Sequence, residues 1–86
     1  MELQIQKKDG RLEAFDRNKV LAGIVKSGAL TEEAESITVQ IETWAQDAAQ
    51  NGVIGVLEIR GKVLEILRSV NPEAAARFES YQKPQG

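Results

Sequence analysis

Ile5-Gln6-Lys7-Lys8-Asp9-Gly10-Arg11-Leu12-Glu13-Ala14-Phe15-Asp16-Arg17-Asn18-Lys19-Val20 is the stretch on which the fold turns. Leu3 and Ile5 alternate with Gln4 and Gln6, the period of a half-buried strand. Asp9-Gly10 signals a two-residue hairpin, because a type I′ turn needs positive φ at both central positions. A turn centred there pairs Lys8 with Arg11, Lys7 with Leu12, Gln6 with Glu13 and Ile5 with Ala14. Leu3, Ile5, Leu12 and Ala14 then share one face, which a helix must cover. Lys8 opposite Arg11 is a like-charge pair, tolerable in water and better with an anion nearby. Asp16 is placed to cap a helix with Asn18 and Lys19 in its first turn. Free N–H groups at a helix start, beside a cationic turn, suit a phosphate.

Working outward, Val20, Leu21, Ile24 and Val25 give the first helix an apolar stripe, and Gly28 stops it. Thr31 is expected to cap a second helix, with Glu32 and Glu33 well placed for the dipole. Ala34, Ile37, Ile41, Trp44, Ala45 and Ala48 recur at helical spacing until Asn51-Gly52. Residues 53–56 read as a short strand or a loop. A third helix is expected from about Leu57 to Ser69, with Leu57, Val63, Leu64, Leu67 and Val70 inward and Ile59 and Ile66 beside them. Asn71-Pro72 starts a fourth helix, whose stripe is Ala74, Ala75, Phe78 and Tyr81. The expected fold is α+β, an N-terminal β-hairpin packed on a four-helix bundle. It forms one domain over residues 1–83, with a frayed tail at 84–86.

Composition excludes several function classes. The 86 residues contain no Cys and no His. That removes disulfides, thiolate or imidazole metal sites, and Ser-His-Asp or Cys-His nucleophiles. No general base or nucleophile is positioned, so an enzyme is not expected, nor is a metal site. The formal charge is −2, which argues against a dedicated nucleic-acid binder, and none is expected as a direct partner. No apolar run approaches the roughly 18 residues of a membrane span, and the N-terminus carries no signal-peptide segment. A soluble, cytoplasmic protein is the expectation.

The cations are unevenly spread. Lys7, Lys8, Arg11, Arg17 and Lys19 lie near one end of the chain, and Arg60, Lys62, Arg68, Arg77 and Lys83 near the other. Only Lys26 lies between them. They are either solvated surface charge or, if the ends pack together, an anion site on an acidic protein. Gly55 to Val63 superficially resembles a phosphate loop. Five residues rather than four separate its glycines, and Val63 follows Lys62 where a hydroxyl is required. The carboxylates of Glu32, Glu33 and Glu35 read as solvated, Trp44 as core, and Tyr81 as either ligand contact or core seal.

The same opening stretch resembles the ATP-cone family. Its signature is matched by Lys7-Lys8-Asp9-Gly10, Glu13, Phe15-Asp16 and Lys19-Val20. Ile54, Glu58 and Ile59 match the entry to the third helix, and Pro72, Ala75, Phe78, Tyr81 and Lys83 approximate the last one. The resemblance covers essentially the whole chain. It implies a small α+β domain that binds ATP or dATP, with Mg2+, as a regulatory ligand. Such domains switch activity or DNA binding through oligomeric state, so a protein partner or homo-oligomer is implied as well.

Carried over residue by residue, the resemblance makes Lys7 and Lys8 the phosphate-facing pair of the hairpin. Glu13, Phe15 and the helix start around Asn18 become the adenine wall. Lys19 contacts phosphate, Arg60 lies near ribose or phosphate, and Lys83 completes the phosphate cage. Three departures stand out. Lys8 replaces an Arg, so a bidentate contact becomes a point charge. Val56 stands where the family has Ser or Thr, and Phe78 replaces a Tyr. The alternative they leave open is a cone that keeps the fold without nucleotide and serves as an interaction or oligomerisation domain.

Overall fold

A computed structural model describes residues 3–82, with side chains through residue 80. The chain runs β1 (Gln4–Gln6), β2 (Leu12–Ala14), α1 (Arg17–Lys26), α2 (Thr31–Ala48), β3 (Val53–Gly55), α3 (Val56–Val70) and α4 (Pro72–Gln82). The fold is α+β, as the sequence implies. Residues 53–55, open between strand and loop, form a strand that pairs parallel to β1. The sheet order is therefore β2-β1-β3. Asn51 and Gly52 carry the positive φ that turns the chain into β3.

The hairpin register differs by one residue from the sequence expectation. Gln4 faces Ala14, Ile5 faces Glu13 and Gln6 faces Leu12. Lys7 and Arg11 close the ladder, with the Lys7 carbonyl accepting from Gly10 N–H at 2.9 Å and the Arg11 carbonyl from Lys7 N–H at 2.8 Å. The loop has three residues, Lys8-Asp9-Gly10, with Gly10 at φ +91°. Asp9 locks it by accepting from the Arg11 backbone N–H and Nε. This slip removes the Lys8–Arg11 opposition and exchanges the faces of β2. Ile5, Glu13 and Phe15 are half-buried, while Leu12 is 51% exposed and Ala14 is exposed too.

Asp16 caps α1, its carboxylate accepting from Asn18 N–H at 2.9 Å. The cap of α2 is Leu30 rather than Thr31, and Glu33 reaches back to accept the Leu30 N–H at 2.9 Å. Glu33 is therefore not simply solvated. It also accepts from Asn71 Nδ2 at 3.1 Å, while Asn71 Oδ1 caps α4 at Ala74 N–H. The Leu30 N–H and then the Asn71 amide hold the Glu33 carboxyl below the ordinary glutamate value of 4.5.

The core joins Ile24 of α1, Ala34, Ile37, Thr38, Ile41 and Ala45 of α2, Ile59, Val63 and Leu67 of α3, and Ala74, Ala75 and Phe78 of α4. Thr38 satisfies its hydroxyl on the Ala34 carbonyl at 2.7 Å. Several residues expected inward are exposed: Val25, Ala48, Leu57 and Val70. They sit near helix ends, where the stripe runs past its neighbours. Trp44 is half-buried against the core rather than within it, with Lys62 Nζ 5.9 Å from its ring centre. The Tyr81 side chain and residues 83–86, with the expected tail, lie outside what is described.

Candidate functional site

The site lies where the sheet meets the starts of α1 and α3. β1 sets Ile5 and, just beyond its end, Lys7. β2 sets Glu13 and Ala14. The first turns of α1 contribute Asp16, Lys19, Val20 and Gly23, and those of α3 contribute Val56, Ile59, Arg60 and Val63. With Phe78 of α4 these residues enclose a mainly apolar cavity of about 240 Å³. A second concavity, about 290 Å³, lies against the hairpin tip between Lys7, Lys8, Asp9, Arg11, Val56 and Arg60. Lys7, Val56 and Arg60 border both, so the two form one groove. It is apolar at one end and cationic at the other.

Charge is unbalanced along this groove. Lys7 Nζ lies 3.8 Å from Glu13 Oε1, a loose pair, and Arg11 Nε lies 2.8 Å from Asp9. The side chains of Lys8, Lys19 and Arg60 have no carboxylate partner among the described residues. α3 begins at Gly55 with no side chain capping its free amides; Glu58 instead turns back to accept the Gly55 N–H at 3.1 Å. Glu58, in the first turn, offsets part of that helix's positive end, so the cationic field comes chiefly from the side chains. Such an arrangement is chemically suited to a polyanion joined to an apolar group.

Of the residues expected at a site, the structure gathers Lys7, Lys8, Glu13, Lys19 and Arg60. Phe15 packs against the core and Asn18 is exposed, and neither lines the groove. The exchange of β2 faces puts Glu13 on the groove side, and the Asp16 cap lies where Asn18 was expected. Lys83 lies outside the described residues. Asp16, Arg11, Gly23 and the apolar wall other than Val56 lie outside the expected set, and Val56 is the position where the resemblance marks a missing hydroxyl. Asp16 was visible as a cap, and Arg11 as part of the cationic turn.

The ATP cone domain family matches residues 3–85 of the chain. The chain belongs to the ATP-cone family. It is similar to the "Transcriptional repressor NrdR" of Petrotoga mobilis, 38% identical over 94% of this chain and 56% of the relative. It is also similar to the protein of that name in Dictyoglomus turgidum, 40% identical over 94% of this chain and 57% of the relative. The chain thus spans about half the length of the curated relatives it matches. The expectation of no nucleic-acid partner is corrected by these relatives, which are named as transcriptional repressors. The physical error is plain. A net charge of −2 describes the surface of this span, and it does not bear on the parts of the relatives that the span does not cover. No helix among the described residues is long and apolar enough to cross a membrane.

Proposed function

We propose that this ATP-cone domain is a nucleotide sensor that takes ATP or dATP in the groove. The supporting observation is the convergence of Lys7, Lys8, Lys19 and Arg60 on one groove whose inner end is mainly apolar, with Glu13 and Asp16 also on its wall. The base enters between Ile5, Val20, Gly23 and Phe78. The phosphates run along α3 toward the hairpin, where the cations and the free helix amides neutralise them. Glu13 and Asp16, acceptors at the mouth of the apolar cavity, orient the base by its amino group. Magnesium would accompany the nucleotide on its phosphates. The groove holds and orients a ligand and does not transform it. Its output passes to a partner, a further unit or a second copy, as a change in association.

The test is calorimetric titration with ATP and dATP in magnesium buffer, repeated with Lys7→Ala. Micromolar binding that weakens at least about tenfold in the variant supports the sensor. Absence of heat and of thermal stabilisation at millimolar nucleotide overturns it and leaves an interaction module of the same fold.

A further inference from the structure

We infer that Arg11 makes the groove count phosphates, so that the site answers to a nucleoside triphosphate rather than to the diphosphate or monophosphate of the same base. This rests on the nucleotide reading above and adds a residue and a selectivity to it. The geometry orders the cations along the groove. Lys19 borders only the apolar cavity, Lys7 and Arg60 border both cavities, and Lys8 and Arg11 border only the outer one. A base seated in the apolar end therefore meets Lys19 first, Lys7 and Arg60 next, and the hairpin tip last. The chain of phosphates must be long to reach that tip.

Arg11 is held ready at that last position. Asp9 Oδ1 accepts its backbone N–H at 3.0 Å and Asp9 Oδ2 accepts its Nε at 2.8 Å. One Asp9 carboxylate thus holds the backbone and the side chain of Arg11 together at the three-residue loop. The guanidinium keeps its two terminal amino groups, the half that pairs with a phosphate oxygen pair. The Arg11 side chain is 70% exposed, so its pair with Asp9 contributes little to folding. Its effect lies in orientation. Lys8 beside it supplies a second charge, but as a flexible point.

The experiment is titration of the full chain with ATP, ADP and AMP at fixed free magnesium, for the wild type, Arg11→Ala, Asp9→Asn and Lys19→Ala. In the wild type, affinity rises with each phosphate. Arg11→Ala lowers the ATP-to-AMP affinity ratio about fivefold to tenfold, with an unchanged melting temperature. Asp9→Asn, which can still accept the backbone N–H but loses the charged clamp on Nε, lowers that ratio by a smaller factor. Lys19→Ala weakens all three nucleotides alike. If ATP binds but the ratio is the same in Arg11→Ala, the inference falls and the sensor stands. If no adenine nucleotide binds the wild type, both fall.

Discussion

The two ends of the bundle treat their polar groups in opposite ways. At the end where α1 gives way to α2 and α3 to α4, polar groups satisfy one another. Glu33 takes the Leu30 N–H and the Asn71 amide, Asn71 caps α4, and Ser27 donates its hydroxyl to the Ile24 carbonyl. At the other end, Lys8, Lys19 and Arg60 face a groove with no carboxylate of their own among the described residues. α3 joins the two ends, its fifteen residues spanning about 22 Å. One end is closed on itself and serves stability, while the other keeps its charge available for something from outside.

The contrast breaks first if the scaffold fails. Leu67 is fully buried in the last turn of α3, where its carbonyl accepts the Asn71 N–H at 2.7 Å. Leu67→Ala is expected to cost about 2–5 kcal/mol in urea unfolding, enough to threaten a domain this small. A loss under about 1 kcal/mol would mean the core is looser than its burial implies. Lys7→Ala tests the open end. It removes a cation that borders both cavities and leaves Glu13, its partner at 3.8 Å, unpaired in the apolar cavity. ATP affinity should fall at least about tenfold while the urea midpoint hardly moves. Equal loss of stability and binding would erase the distinction between the ends.

Asn71→Ala tests the closed end. Losing the α4 cap is expected to cost about 1 kcal/mol without changing ATP affinity. The pH dependence has a definite sign. Glu33 titrates below 4.5 in the folded protein, so its contribution is full above that pH and is lost as acid carries the carboxyl through its lowered value. Glu65, lowered by Lys62, adds in the same direction. In Asn71→Ala the acid limb of a melting-temperature profile should be shallower than in the wild type. An identical limb would place the acid sensitivity elsewhere.

Elements with strong local signals were legible in the sequence, and the rest depended on pairing across distance. α1, α2, α3 and α4 follow from the Asp16 cap, the Ala34–Ala45 periodicity, the apolar stripe of residues 57–70 and Asn71-Pro72. β3 carries no such signal, because three residues pairing parallel with a strand near the start of the chain leave no local trace. The hairpin was found but misregistered. Asp-Gly serves a two-residue turn and a three-residue loop alike, and only the Asp9 bonds to Arg11 distinguish them. That single slip moved Glu13 and Phe15 onto the inner face and Leu12 off it. The cations of the site were legible as charge at both ends of the chain. Most of its apolar wall was not, because Ile59 and Val63 read as core, while Val56 stood out only as a departure from the family's Ser or Thr.

Two glycines give the smallest and sharpest test of the contrast. Gly23 and Gly61 both lie inside helices, at ordinary backbone angles, and each weakens its helix relative to alanine by about 0.5–1 kcal/mol. A methyl group on Gly61 meets nothing within 4 Å, and one on Gly23 meets only Phe78, at 3.9 Å, an ordinary contact. Both alanine variants should therefore fold more stably. They differ in where the methyl goes. Gly23 and Phe78 line the apolar cavity, so Gly23→Ala narrows it where the base is proposed to sit, whereas Gly61 touches neither cavity. Gly61→Ala should raise the melting temperature and leave ATP affinity alone. Gly23→Ala should raise it similarly and weaken ATP several-fold, more strongly as the side chain grows to Val and Leu. If Gly23→Leu binds ATP as the wild type does, the base does not enter the apolar cavity. The open end would then hold phosphates alone, along the hairpin tip.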